Sequence, residues 1–219
     1  MALEHAQEWT TRLLGFDQFV TQPLELRQSA GLGTELAGAG GAPAATYLSA
    51  IVSQRQITVC WLGDSRAYWL AANSPVQAGP NDTIDITGGS KRVTRDDSLA
   101  EEIVAAGLAT MDEAMASPQA HVITRWLGAD LPDPEAHVEQ FSPAGPGVLL
   151  LCSDGLWNYR PEAAELAAMA MPTALTRPLD AAADLATFAI DSGGLDNITV
   201  VIIPFPPRAD APVPNGHQG

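Results

Sequence analysis

The chain is poor in the residue types on which several common functions depend. Only 11 of its 219 residues are Lys or Arg, against 26 Asp and Glu, and the formal net charge is −15. Nucleic-acid phosphates and anionic membranes are bound by clustered Lys and Arg, so this composition argues against both partners. The acid excess is compatible with a cation site, although a solvated acidic surface accounts for most of these carboxylates.

Histidine and cysteine are scarce as well. The four histidines, His5, His121, His137 and His217, are scattered, with a spacing that fits neither a zinc site nor a Ser-His-Asp arrangement. We expect His121 to be a partly buried structural residue, because it stands among apolar residues at helical spacing. The two cysteines, at positions 60 and 152, lie in apolar runs, where a thiol usually packs as a small buried hydrophobe.

Long apolar runs are missing too. No run approaches the roughly 18 residues that span a bilayer, and the charged residues 2–8 lack the apolar region of a secretory signal. We therefore expect a cytoplasmic protein. With 46% hydrophobic composition, the chain can bury one sizeable core, and a single domain is the default.

What the sequence does contain is a succession of apolar strands and short helices. Apolar runs bounded by turn residues predict strands, and the turn at residues 63–66 predicts a β-hairpin between the second and third of them. The second strand is apolar at nearly every position, which indicates a sheet covered on both faces and a layered fold. The predicted strands are residues 47–52, 57–62, 67–70, 148–152 and 198–203.

Helix start signals complete this pattern. Ser98 with Glu101, and Thr110 with Glu113, each have the spacing of a capping box, and Gly107 is placed to end the first helix. The remaining helices are predicted at residues 1–14, 121–127, 161–171 and 178–191, with a Gly-rich loop at 29–43.

Two aspartates stand at the ends of two of these strands. Asp154 follows the apolar run 148–152, and Asp196 precedes the apolar run 198–203. If the two strands are antiparallel neighbours, both carboxylates reach the same edge of a sheet. Two carboxylates within about 4 Å repel each other unless a proton or a cation lies between them, and hard divalent cations favour oxygen ligands. The pair therefore predicts a metal site.

Five short segments follow one another in a specific order. They are residues 63–67 (Gly-Asp-Ser-Arg-Ala), 93–98 (Val-Thr-Arg-Asp-Asp-Ser), 102–128, 153–157 (Ser-Asp-Gly-Leu-Trp) and 196–200 (Asp-Asn-Ile-Thr-Val). Together they resemble the hairpin, Thr-x-Asp-His/Asp, flap and C-terminal metal motifs of the PPM-type (type 2C) metal-dependent serine/threonine protein phosphatases, particularly the bacterial branch. The resemblance runs from about residue 46 to residue 203.

The resemblance implies an α+β fold, in which an antiparallel β-sandwich is flanked by helices in α-β-β-α layers. It also implies a binuclear Mg²⁺ or Mn²⁺ centre at one end of the sheets, which generates hydroxide from bound water, so that no protein nucleophile is needed. Phosphorylated Ser/Thr proteins are the implied substrates, and a cognate kinase is a further candidate partner.

Only a few site residues carry over from the family. Asp154 and Asp196 match its C-terminal metal ligands, with ordinary turn-forming Asp as the alternative. Asp96 matches the carboxylate associated with a third metal, with Asp97 as the alternative register. For Asp96, a purely structural place ahead of a helix N-terminus stays open. The resemblance assigns residues 64 and 66 to fixing the hairpin rather than to catalysis.

The family pattern also begins earlier than this chain does. An N-terminal Arg that binds phosphate and an Asp that bridges both metals have no match here, and the Gly-rich residues 38–41 have no Asp before them. We therefore predict an N-terminally incomplete PPM-type domain over residues 1–205, with a disordered Pro-rich tail at 206–219. Little or no activity is expected of this chain.

Three interpretations follow from this mismatch. The chain is a truncated form of an active phosphatase, which we favour, or a degenerate domain that binds phosphoprotein or another partner without turnover, or a non-enzymatic protein that uses the sheet as a scaffold.

Overall fold

The computed structural model describes residues 44–72, 89–128 and 135–206. The predicted helix at residues 1–14, the loop at 29–43 and the tail beyond Pro206 lie outside the described residues. The predicted domain boundary near residue 205 therefore stays a prediction.

The described residues form antiparallel sheets and helices, which confirms the α+β class. All strand pairs in the three sheets are antiparallel. The strands are β1 (Ala44–Ala45), β2 (Tyr47–Val52), β3 (Ile57–Leu62), β4 (Arg66–Ala71), β5 (Lys91–Arg92), β6 (Leu127–Gly128), β7 (His137–Phe141), β8 (Gly147–Cys152) and β9 (Val200–Phe205). The helices are α1 (Leu99–Ala105), α2 (Met111–Met115), α3 (Asp154–Trp157), α4 (Ala163–Ala174) and α5 (Pro178–Asp191).

The described residues divide into two units. The first contains the small sheet β1-β6. The second contains the larger sheets, β2-β3-β7 and β5-β4-β8-β9. None of the helices that the structure describes combines the length and the hydrophobicity of a bilayer-spanning segment.

The predicted hairpin between β3 and β4 is wrong. β3 pairs with β2 and β7, whereas β4 pairs with β5 and β8, so residues 63–65 lead from one sheet to the other. A short connection can join two strands as a hairpin within one sheet or lead from one sheet to another. The sequence pattern does not distinguish these two arrangements. The hairpin that does form joins β2 to β3, with Val52 opposite Ile57.

The two larger sheets share one apolar core. Trp69 of β4 meets Phe141 of β7 with ring centroids 6.1 Å apart, and meets Phe205 of β9 at 5.8 Å, both edge-on. Edge-on contact is a favourable arrangement of aromatic rings. The other buried members of this core come from both sheets and from the residue that follows β5: Ile57, Val59, Trp61, Ala67, Leu149 and Val93.

A second core lies between the four-stranded sheet and the long helices. Val148 and Leu150 of β8 belong to it, together with Leu166 of α4 and Leu185 of α5. Leu149, between them, belongs to the core that the two sheets share. Because alternate residues of a strand point to opposite faces, β8 is buried on both sides. The sequence assigned this property to β3, but the half-buried Cys60 shows that β3 is fully buried on one face only.

The short helices keep their predicted starts, but one predicted helix is absent. Ser98 caps α1, and Thr110 with Glu113 forms a complete capping box on α2. The helix predicted at residues 121–127 is wrong. Its backbone instead pairs with the segment at the start of α1, where the Leu99 N–H donates to Val122 O at 2.9 Å and the Thr124 N–H donates to Asp97 O at 2.9 Å.

The long helices and the last strand follow the sequence closely. α4 begins at Ala163, after the Pro161 start signal, and α5 occupies the predicted residues. β9 starts two residues later than predicted and continues through Pro204. A proline is tolerated there because β9 is an edge strand of the described sheet.

Candidate active site

The two aspartates of the sequence analysis lie where β8 ends and β9 begins. β8 and β9 are antiparallel neighbours, with Cys152 opposite Val200. Asp154 is the first residue of α3, and Asp196 lies four residues before β9. The predicted antiparallel pairing of the two strands is therefore confirmed, and the assignment of Asp154 and Asp196 as metal ligands stays a prediction.

Ser153 joins the segments that carry the two aspartates. Its hydroxyl donates to Asn197 O at 2.9 Å and accepts from the Thr199 N–H at 3.0 Å, while its own N–H donates to Thr199 O at 3.1 Å. Gly155 allows this close approach, because a Cβ there would lie 2.4 Å from Asn197 O. The relative position of the two segments is thus tightly specified.

The carboxylates of Asp154 and Asp196 are close enough to affect each other. Burial, followed by the negative charge of Asp196, raises the pKa of the half-buried Asp154. Backbone hydrogen bonds and the nearby His121 oppose this rise. Since the ionised form of Asp154 is disfavoured, a proton or a cation would stabilise the pair.

His121 differs from its predicted place. It is exposed rather than partly buried, and its ring centroid lies 5.9 Å from that of Trp157. The helix on which the burial prediction depended does not form. His121 therefore lies at the edge of the site that contains Asp154 and Asp196, which we call the acidic site.

Asp64 is a third carboxylate at this site, and the sequence analysis treated it as structural. Burial, then the charges of Asp154 and Asp96, raise its pKa from 3.8 to about 6. Its position after β3 is the signal that could have found it, because it follows an apolar strand just as Asp154 does. The connection between the two sheets, unseen in the sequence, is what carries it to the site.

Asp96 lies beside the site but forms an ion pair with Arg66. Its Oδ2 lies 2.6 Å from Nη2 of Arg66, and both carboxylate oxygens accept from Nε, at 3.0 and 3.1 Å. Only 7% of the Arg66 side chain and 4% of the Asp96 side chain are exposed. The assignment of Asp96 to a third metal stays a prediction, and metal binding there would compete with this ion pair.

Trp157 connects the ion pair to the acidic site. The guanidinium of Arg66 lies 3.6 Å from the centroid of the Trp157 ring, a cation–π contact, and the indole N–H donates to Asp64 O at 3.0 Å. Because Trp157 is on α3, these contacts fix the helix that carries Asp154 against β4.

Asp97, the alternative register for the third metal, also has a defined role. Its Oδ2 accepts from the Gly63 N–H at 2.9 Å, and its own N–H donates to Gly63 O at 2.9 Å. Its Oδ1 lies 2.8 Å from Nε2 of His137, whose ring stacks on Trp61. Asp97 thus holds the peptide that precedes Asp64.

The donor set of the site is of the right kind for Mg²⁺ or Mn²⁺ but is incomplete. Carboxylate oxygens are the ligands such hard cations prefer. Across residues 44–72, 89–128 and 135–206, however, no group of three or more His, Cys, Asp and Glu side chains is arranged to hold a metal ion. The described side chains therefore do not by themselves form a metal centre.

Similarity to known proteins decides the family. No protein-family model matches the sequence. The serine/threonine phosphatase stp of Listeria innocua is 31% identical over 159 residues, which are 72% of this chain and 55% of that protein. The solved PPM Ser-Thr phosphatase MsPP from Mycobacterium smegmatis, in complex with cacodylate, is 30% identical, with a TM-score of 0.54, 82% of this chain covered and 71% of that one. The chain belongs to the PPM family of protein phosphatases.

This PPM chain spans about half the length of the curated relatives it matches, 55% for the Listeria protein. A third protein, the catalytic domain of the serine threonine protein phosphatase PstP in complex with 2 manganese ions, is 20% identical, with a TM-score of 0.55 over 92% of this chain and 76% of that one. At this identity, the likeness to PstP shows a shared fold. The family resemblance seen in the sequence is confirmed.

Proposed function

We propose that this chain is a metal-dependent protein serine/threonine phosphatase domain that hydrolyses phosphate monoesters of phosphoproteins. The observation that carries the proposal is the pairing of β8 with β9, which brings Asp154 near Asp196, with Asp64 close enough to Asp154 to be affected by its charge, in a chain of the PPM family. In the overall reaction, water replaces the seryl or threonyl oxygen on phosphorus and releases inorganic phosphate.

Mg²⁺ or Mn²⁺ is the cofactor we propose, with Asp154 and Asp196 as its ligands. The manganese ions bound by PstP and the oxygen-rich donor set support this choice. Asp64 is the third carboxylate we assign to the site, and we place Asp96 after it because of its ion pair with Arg66. The metal would supply the charge neutralisation and the activated water that this reaction class needs.

Three finer features belong to the same proposal. The contact of Trp69 with Phe141 of the other sheet, and the second core beneath the long helices, support a β-sandwich covered by helices in α-β-β-α layers. We propose the cytoplasm as the compartment in which phosphoprotein substrates are met. A kinase that phosphorylates the same proteins is the partner class that such a reaction requires.

Phosphate release by the full chain tests the proposed activity. With p-nitrophenyl phosphate and a phosphothreonine peptide, we expect slow turnover that rises with Mn²⁺ and stops in EDTA, because the described ligand set is incomplete. Asp196→Asn should abolish it. Asp184→Asn, an exposed aspartate within α5, is the matched control and should retain it. Turnover that survives Asp196→Asn or EDTA would contradict the proposal.

A second candidate function is a phosphatase-like module that binds a phosphoprotein or a regulatory partner without turnover. The incomplete ligand set and the neutralisation of Asp96 by Arg66 favour it. Calorimetry with Mn²⁺ and with a phosphopeptide separates the two candidates. Peptide binding with no phosphate release at any Mn²⁺ concentration would favour the binding module.

A further inference from the structure

The most exposed large apolar side chain in the described ranges is that of Leu195. It is 90% accessible to solvent, compared with 80% for Leu179 and 77% for Leu108. Single exposed hydrophobic residues are common on protein surfaces and need no special explanation. Two further observations distinguish Leu195 from the others.

First, the backbone that carries Leu195 is held in place on both sides. The preceding glycines end α5, where the Gly193 N–H donates to Ile190 O and the Gly194 N–H donates to Ala189 O, each at 3.1 Å. The Leu195 N–H donates to the Tyr159 hydroxyl at 3.2 Å. The exposed side chain therefore extends from a turn with fixed hydrogen bonds.

The glycine at position 193 is required for this turn. Its φ is +144°, and a Cβ there would lie 2.9 Å from the Tyr159 hydroxyl oxygen. A side chain at this position would displace the hydroxyl that holds Leu195. The turn and Tyr159 thus form one unit that presents Leu195 to solvent.

Second, Leu195 directly precedes Asp196 of the acidic site. Asn197, the next residue, is tied to the Asp154 segment through Ser153. Consecutive Cα atoms are about 3.8 Å apart, and an extended peptide advances roughly 3.3–3.6 Å per residue. A substrate with its phosphate at the acidic site would therefore bring its flanking side chains to within reach of Leu195.

We propose that Leu195 is a specificity-determining residue that contacts a bulky apolar side chain beside the phosphorylated residue of the substrate. The proposal rests on the proposed function, because it takes the metal proposed at the acidic site as the group that would hold the phosphate. It narrows the substrate class to phosphoproteins with Leu, Ile, Met or Phe next to the phosphothreonine or phosphoserine.

The test compares two phosphothreonine peptides that differ only in having Leu or Ala after the phosphothreonine. The full chain should hydrolyse the Leu peptide with a kcat/KM about threefold to tenfold higher, which is the order expected for a partly buried aliphatic contact. In Leu195→Ala, this ratio should fall to near one. Leu179→Ala, at the other end of α5 and nearly as exposed, is the matched control and should keep it.

A second measurement separates this proposal from the proposed function. Hydrolysis of p-nitrophenyl phosphate by the unmodified chain, which involves no flanking residue, reports on the phosphatase activity alone. If that activity is absent, the ratio of dissociation constants for fluorescent, non-hydrolysable phosphonate versions of the peptides replaces kcat/KM. Equal values for the two peptides, or a ratio unchanged in Leu195→Ala, would overturn the role of Leu195.

Discussion

The guanidinium of Arg66 and the carboxylate of Asp96 form a buried ion pair next to the acidic site. Their closest atoms, Nη2 and Oδ2, are 2.6 Å apart, and the guanidinium is also stacked on Trp157. Arg66 is on β4, Asp96 precedes α1, and Trp157 belongs to α3. The pair therefore fixes the elements around Asp154 without itself facing solvent.

Removal of one partner of this ion pair should strongly destabilise the fold. We expect Asp96→Ala to lower the free energy of unfolding by about 3–5 kcal/mol, because the Arg66 charge is then left buried without its partner. Urea denaturation measured by circular dichroism gives this value. Replacement of both residues, Arg66→Met with Asp96→Leu, should cost less than the sum of the single changes, since no unpaired charge remains.

The exposed ion pair between Arg177 and Asp180 is the control for this experiment. Its atoms Nη1 and Oδ2 are 3.0 Å apart, but the side chains are 69% and 52% exposed. Asp180→Ala should therefore cost less than about 1 kcal/mol. Equal costs for the buried and the exposed pair would show that burial does not govern the contribution of Arg66 and Asp96.

Stability should depend on pH through Asp64. Its pKa is raised from 3.8 to about 6, so the folded state binds more protons than the unfolded state between these values. The associated stability is present below pH 3.8 and is lost as the pH rises through 6. In EDTA, Asp64→Asn should therefore be more stable than the unmodified chain at pH 8, by on the order of 1 kcal/mol after solvent screening is allowed for.

At pH 4 this advantage of Asp64→Asn should be nearly gone, because the native carboxyl is then largely protonated in the folded state. Urea midpoints at both pH values test the difference, with Asp184→Asn as the control for an exposed carboxylate. An advantage of the same size at pH 4 and pH 8 would mean that Asp64 is not the titrating group.

Substitution of Gly63 should be costly for two separate reasons. Its φ is +102°, which L side chains rarely adopt, and a Cβ would lie 2.5 Å from Cγ2 of Thr46. We expect Gly63→Ala to lower the free energy of unfolding by about 2–4 kcal/mol. Gly107, with φ of +69° and open space around its Cα, isolates the backbone contribution, and Gly107→Ala should cost only about 1 kcal/mol.

The contact between His137 and Asp97 should stabilise the peptide before Asp64. His137→Ala removes both the 2.8 Å hydrogen bond and the stacking on Trp61, for an expected loss of about 1–2 kcal/mol. His137→Gln keeps a donor for Asp97 and should recover part of this loss. Gln140→Ala, on the same strand but in an exposed hydrogen bond with Thr58, should change stability by less than about 0.5 kcal/mol.

Much of the fold could be predicted because its signals are local. The strands β2 and β3 and most of β4 and β8 follow from apolar runs, and the caps at Ser98 and Thr110 follow from side chains that bond their own helix. The segment 121–127 was mispredicted because helical spacing of apolar residues also suits a chain that pairs with a distant segment. Its backbone partners, Leu99 and Asp97, are more than 20 residues away.

The candidate site shows the same division between local and distant information. The sequence by itself determined that Asp154 and Asp196 flank two apolar strands, because strand ends and turns are recognised from the residues next to them. Only the tertiary structure decided that β3 and β4 lie in different sheets, and so that Asp64 joins these carboxylates while Asp96 pairs with Arg66. Strand pairing and burial depend on the whole chain, and they control which charges meet.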